Sequence, residues 1–131
     1  PDEMSLYYSR NYNFPTVHER RGVFRLDGIA SAHAGYRGGE LVTKLIKFKG
    51  NQLVLNFATA ASGSVQVEIQ DAEGTSLPGL SMNDAPELFG DEIAKAYAWS
   101  SKSTLGNVAG RPVRLRIRLK DADVFSYRFT P

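Results

Sequence analysis

Arg111-Pro112-Val113-Arg114-Leu115-Arg116-Ile117-Arg118-Leu119-Lys120 alternates apolar and cationic residues without a break from Val113 to Lys120. Period two is the signature of a strand with one buried and one solvated face. Val113, Leu115, Ile117 and Leu119 are therefore expected on a core, and Arg114, Arg116, Arg118 and Lys120 on the side away from it. Asp121-Ala122-Asp123 then reads as a tight turn, and Phe125, Tyr127 and Phe129 resume the same parity around Ser126 and Arg128. The pattern predicts a terminal hairpin. Pairing would place Arg128 on the face of the arginine stripe, where like charges repel, so acidic neighbours from another strand are expected there.

Outward from this stripe the same period recurs. Val65, Val67 and Ile69 alternate with Gln66, Glu68 and Gln70 in the run Ser64 to Gln70, and Leu53, Leu55 and Phe57 line one side of the run Gln52 to Phe57. Leu41 to Phe48 is a third run. Lys49-Gly50-Asn51 and the small residues Ala58 to Gly63 are turn-sized separators, and Asp71-Ala72-Glu73-Gly74 has the composition of a type I turn closed by a glycine at positive φ. Met4 to Arg10 and Gly22 to Ile29 are further strand candidates, the second broken at Asp27-Gly28. Glu92 to Ser100 holds three alanines, which favour helix. Tyr97 and Trp99 favour strand and share parity with Ile93, so a strand is expected.

Pro78-Gly79 reads as a turn, Asp84-Ala85-Pro86-Glu87 as a helix start that Gly90 would stop, and Ser103 to Gly110 as a loop with one helical turn. The sum is about eight short strands with little helix. This predicts an all-β fold, an antiparallel, jelly-roll-like β-sandwich forming a single domain over residues 1–131.

Composition agrees with a soluble globular domain: of 131 residues, 42% are hydrophobic, 23% charged and 11% aromatic. No run approaches the roughly 20 apolar residues of a membrane span, and Pro1-Asp2-Glu3-Met4 lacks the features of a signal peptide. A membrane partner and a targeting segment are not expected. Sixteen basic against fourteen acidic residues leave a formal charge of only +2, and the arginine stripe has no interleaved aromatics to stack bases, so nucleic acid is not an expected partner either. The absence of cysteine excludes disulfides, thiol nucleophiles and cysteine zinc sites. With only His18 and His33, a histidine metal site would need carboxylate help.

Catalytic signatures are lacking. Gly35-Tyr36-Arg37-Gly38-Gly39 is glycine-rich without the strand-to-helix context that cradles a phosphate, and no Gly-x-Ser-x-Gly elbow occurs. No catalytic residue is assigned, and the chain is not expected to be an enzyme. The close acidic pairs Asp71 and Glu73, Asp91 and Glu92, and Asp121 and Asp123 sit at expected turns or strand ends. They read as solvated turn carboxylates, with structural calcium at such a pair, Asp71 and Glu73 first, as the other reading and no further cofactor expected. Binding is better served by aromatics, because the apolar faces of sugar rings stack on flat side chains while their hydroxyls seek polar partners. Trp99, Tyr97 and Tyr36 are the leading stacking candidates, with Tyr12 and Tyr8 behind them; core packing is the competing reading for the lone tryptophan, and Tyr36, in its glycine-rich loop, is the one expected to be exposed. Arg37, Asn83, Asp84 and Asn107 are their polar companions. Phe14, Phe24, Phe48, Phe57, Phe125 and Phe129 are expected in the core.

A longer string of positions carries a resemblance. Asp27-Gly28, Gly38-Gly39-Glu40-Leu41-Val42-Thr43-Lys44, Leu53-Val54-Leu55-Asn56-Phe57, Ser62 to Asp71, Gly90-Asp91-Glu92, Leu105 to Leu115 and Lys120 to Tyr127 follow one another over about four-fifths of the chain. In this string the chain resembles the C-terminal β-sandwich attached to five-bladed β-propeller glycoside hydrolases of the invertase and arabinanase type, families 32 and 43. The resemblance implies a non-catalytic accessory domain of a larger, secreted or extracytoplasmic bacterial protein, whose catalytic propeller would lie before Pro1. The leading expectation is a carbohydrate-binding module for a polysaccharide or oligosaccharide. The alternative is a structural packing domain that stabilises the neighbouring glycoside hydrolase domain in the same parent chain.

Overall fold

Seven strands, all paired antiparallel, make up the computed structural model, which describes residues 2–100 and 105–131. They are β1 (Glu3–Arg10), β2 (His18–Arg25), β3 (Ala32–Ala34), β4 (Gly39–Val42), β5 (Gln52–Gln70), β6 (Asp91–Tyr97) and β7 (Arg114–Thr130). The one helical element among the described residues is a 3-10 turn at Leu105–Asn107. It falls where a single helical turn was expected, although Ser103 and Thr104 of that loop lie outside the described residues. The chain divides into two compact units, Pro1–Ala30 and Ser31–Pro131.

The second unit is a β-sandwich built on β5 and β7. These long strands pair from Gln52↔Thr130 to Thr59↔Ala122, and again from Ser64↔Lys120 to Gln70↔Arg114. Between the two stretches residues 60–63 stand opposite Asp121 alone, so the ribbon turns a corner there. Asp121 takes φ 44°. A Cβ on Gly63 would lie 2.2 Å from the Asp121 carbonyl oxygen, so the corner closes only because that residue has no side chain. β3 pairs with β7 beyond the corner and β4 before it, while β6 pairs with the first half of β5. The inward residues of both halves, among them Leu53, Leu55, Phe57, Val65, Val67, Ile69, Leu115, Ile117 and Leu119, belong to one buried cluster.

Two expected turns are therefore bends. Asp121-Ala122-Asp123 lies inside β7, and the stripe does not pair with the Phe125 to Phe129 segment, which corrects the expected terminal hairpin. The inward parity of β7 changes twice, from Leu119 to Ala122 and Val124 at the corner, then to Tyr127 and Phe129 across a one-residue bulge at Phe125. Ala58 to Gly63 likewise bends β5 instead of separating two strands. These two mergers, with the short β3 added, turn the eight expected strands into seven. Leu41 to Phe48 contracts to β4 followed by a single bridge from Ile46 to Val113.

The expected helix at Asp84 is not formed. Residues 81–85 make turns, and Leu88 bridges to Val65. Asp71–Gly74 closes as expected, with Gly74 at φ 88°. Phe48 and Phe57 are core residues, and Phe129 stacks on Phe48 at 3.9 Å between ring centroids. Phe125 is only half-buried because it is the bulge residue. Phe14 and Phe24, expected in the core, are exposed and belong to the first unit.

That first unit is a hairpin with an unbroken register from Glu3↔Arg25 to Arg10↔His18. Residues opposite each other share a face, so Met4, Leu6, Tyr8 and Phe24 form one row. Glu3, Ser5, Arg21 and Arg25 lie on the other face, where Arg21 bonds Glu3 and Ser5.

Candidate functional site

The free edge of β5 explains where the two best stacking candidates go. Val65 exchanges both backbone hydrogen bonds with Leu88, and Ile69 bonds Leu80 and Leu77, all at 2.9–3.0 Å. Val67 lies between them, where the facing segment runs through Pro86, which has no N–H to give. Side chains substitute. The Tyr97 hydroxyl accepts from Val67 N at 3.0 Å and donates to the Pro86 carbonyl at 2.8 Å, while Trp99 Nε1 donates to the Val67 carbonyl at 2.8 Å. The rings meet edge to face at 4.7 Å, and only 3% of Tyr97 and 8% of Trp99 is exposed. Burial pushes the Tyr97 hydroxyl up to about 12, with the bond from Val67 acting in the opposite direction. Neither ring presents a face on which a sugar could stack; each serves as a surrogate strand neighbour.

Asn83 and Asp84 sit on the segment along this same edge. Asn83 is exposed, whereas Asp84 accepts from the Ser81 hydroxyl at 2.6 Å through Oδ2, and its carbonyl accepts from Ser100 N. Asp71 Oδ1 accepts from the backbone N–H of Glu73 and Thr75 at 3.0 and 2.8 Å, so its carboxylate closes its own turn. Among the described residues, no three histidines or carboxylates gather into a group able to hold a metal ion.

Tyr36 and Arg37 lie on the opposite side of the sheet order, in the loop between β3 and β4, and so do not meet Asn83, Asp84 or the buried pair. Gly38 N bonds the Gly35 carbonyl at 2.8 Å and takes φ 76°, which folds the loop back before β4 starts at Gly39. Tyr36 is 70% exposed, and Lys120 Nζ sits 5.0 Å from its ring centre. Together with Arg37, Glu40, Arg118 and the bare backbone of Gly38 and Gly39, these two line an open groove of about 430 Å³.

The groove lies at one end of the arginine stripe, and the stripe has the acidic neighbours that its repulsion demanded. Glu40 on β4 takes a forked contact from Arg116 at 2.8 to 3.0 Å and a single one from Arg118 at 3.3 Å. Glu68 on β5 faces Arg116 from the other side at 3.4 Å and also accepts from Gln70 and Met82 N. The hydrogen bonds from Arg116 hold Glu40 below the ordinary carboxylate value against its partial desolvation. For Glu68, burial is the largest influence and acts upward, but the donors Gln70, Met82, Ser76 and Arg116 together outweigh it, and its pKa also ends below the ordinary carboxylate value. Arg128 lies beyond the corner, paired with Val54, away from this stripe.

Two arrangements escaped the sequence. Ser31 and His33 both bond Asp123 Oδ1, at 2.6 and 3.1 Å, a contact across 90 residues of chain that no local spacing announces. Because serine and histidine share one oxygen instead of forming a relay, they make no nucleophilic triad. On the hairpin, Met4, Ser5, Leu6, Phe24, Gly28 and Ile29 line an apolar concavity of about 380 Å³. Its signal was present in the parity of Met4, Leu6 and Tyr8. Comparison with protein-family models, curated proteins and solved structures finds no match to this chain.

Proposed function

We propose that this chain is a non-catalytic accessory module whose main task is to pack against a neighbouring protein domain. The observation that supports this most strongly is the exposed apolar surface of the first unit: Leu6, Tyr8 and Phe24 of the hairpin's row and Ile29 just beyond β2 are all exposed, Ile29 by 81%. A two-stranded hairpin is marginal in water, and contiguous exposed apolar side chains mark surfaces that meet another protein. The resemblance to sandwiches that accompany β-propeller glycoside hydrolases suggests the partner, the catalytic propeller of the same secreted parent chain. The non-catalytic reading draws support from Glu40 and Glu68, both of which are held ionised by cations and N–H donors and are thus poor general acids.

Calorimetric titration of this chain with the propeller domain of the parent chain tests the reading. Saturable binding with a negative heat-capacity change is expected, weakened at least about tenfold by Leu6→Ser combined with Phe24→Ser. No binding would overturn it. A second reading, carbohydrate binding, is favoured by one specific observation: Tyr36 stands exposed beside Arg37 at the rim of a groove. On that reading the sugar site lies at Tyr36 and Arg37, and Trp99 and Tyr97 take no part in it.

A further inference from the structure

The charges along the stripe are unevenly satisfied. Arg116 is clasped between Glu40 and Glu68. Arg118 has only its Nε on Glu40, and that carboxylate is already engaged by the Arg116 fork. Lys120 has no carboxylate partner among the described residues and rests against the Tyr36 ring; Arg37 has no hydrogen-bond or ion-pair partner among them at all. Across β7 the residues paired with Arg118 and Lys120 on β5 are the neutral Gln66 and Ser64. The groove therefore carries three cations, Arg37, Arg118 and Lys120, against one carboxylate that is largely consumed by a fourth cation. An aromatic ring stands beside them, and the floor at Gly38 and Gly39 is bare backbone.

From this we infer that the groove is a subsite for an anionic sugar residue of a polysaccharide, its ring stacked on Tyr36 and its carboxylate or sulfate ester held by Arg37, Arg118 and Lys120. The inference rests on the carbohydrate-binding reading and narrows it to one chemical class. A neutral sugar would leave Arg37 and Lys120 without counter-charge and Arg118 with only its share of Glu40. An anionic one supplies charge-assisted hydrogen bonds, which are about twice as strong as neutral ones, and suits guanidinium forks. A nucleic acid is the less favoured ligand because one exposed tyrosine offers no succession of stacking platforms.

The test is affinity electrophoresis of the full chain through gels holding dextran, dextran sulfate, polygalacturonate or single-stranded DNA, beside Tyr36→Ala and Arg37→Ala variants. Both substitutions are at exposed loop positions, and circular dichroism checks that the variants remain folded. The expected result is retardation by an anionic polysaccharide and not by dextran, with Kd raised about tenfold by either substitution, the equivalent of one lost charged or stacking contact. Retardation by dextran sulfate alone assigns the anion as sulfate, and by polygalacturonate alone as carboxylate. Equal retardation by dextran, lost in Tyr36→Ala, would overturn the anionic preference and leave the carbohydrate reading standing. A blank on all four polymers would overturn both. Retardation by DNA and dextran sulfate alike that Tyr36→Ala leaves unchanged would reduce the groove to a general polyelectrolyte contact and overturn the inference.

Discussion

The β1–β2 hairpin and the β5–β7 ribbon are both antiparallel pairs with one apolar row, yet only the ribbon covers its own row. The ribbon is 17 to 19 residues long, and its register breaks at residues 60–63 and Asp121, so it bends and lays Leu53, Leu55 and Phe57 in one cluster with Val67, Ile69 and Ile117. The hairpin has eight residues per strand and no register break. It has neither the length nor the corner to turn its row inward. Alternation thus states which side chains want burial, and only the corner decides whether the same two strands can provide it.

The comparison is broken most sharply at two glycines. A methyl group on Gly63 would sit 2.2 Å from the Asp121 carbonyl oxygen and 2.7 Å from that of Lys120, both backbone atoms that cannot swing away. Gly63→Ala is expected to cost on the order of 3 kcal/mol or more, a large fraction of the stability of an ordinary domain, because the corner must open to admit it. Gly22 in the hairpin has Leu6 O and Tyr8 Cε1 no nearer than 3.7 Å from such a methyl. Gly22→Ala should shift unfolding by less than about 1 kcal/mol. Urea denaturation of the two variants followed by circular dichroism measures both, and equal effects would refute the corner argument.

Much of this was legible before folding, for reasons that particular residues make plain. The alternation of Leu115, Ile117 and Leu119 with arginines named the core face, and the repulsion among those arginines implied partners, which Glu40 and Glu68 supply. The corner was not legible. A run of small residues such as Ala58 to Gly63 suits a turn and a bulge equally well, and the choice was made by the length of the partner strand, which is remote in sequence. The fate of Trp99 was hidden for a similar reason. A tryptophan with alternate-residue spacing from a tyrosine fits a sugar platform or a core, and what decides is the hydrogen-bonding requirement of Val67, a residue remote in sequence.

That requirement gives the second, intermediate effect. Tyr97→Phe removes the acceptor for Val67 N and the donor for the Pro86 carbonyl while leaving the ring, so about 1–3 kcal/mol of sandwich stability should be lost. It should also change the response to alkali. Because burial raises the hydroxyl from 10.0 to about 12, the folded state holds this proton more tightly than the unfolded chain does. The corresponding stability is fully present below pH 10 and is lost as pH rises toward 12. Denaturation midpoints measured from pH 8 upward should fall steeply above pH 10 in the native protein and less so in Tyr97→Phe. Parallel curves would mean that the hydroxyl is not confined as described.

The smallest effect is expected where the exposed side chains are largest. Leu6 and Phe24 are each more than two-fifths exposed, so replacing both by serine gives up little burial within the chain. The sandwich should unfold at a denaturant concentration unchanged to within about 0.5 kcal/mol per substitution, the ordinary range for surface positions. In the β5–β7 ribbon, cutting Ile69 back to alanine should cost about 2–5 kcal/mol, because that side chain is fully enclosed. The contrast gives the packing proposal its discriminating power. A pair of substitutions that leaves sandwich stability untouched but weakens association with a neighbouring domain can act only through a surface reserved for that partner. A large loss of sandwich stability from Leu6→Ser and Phe24→Ser would instead mean that the apolar row already has its cover within this chain.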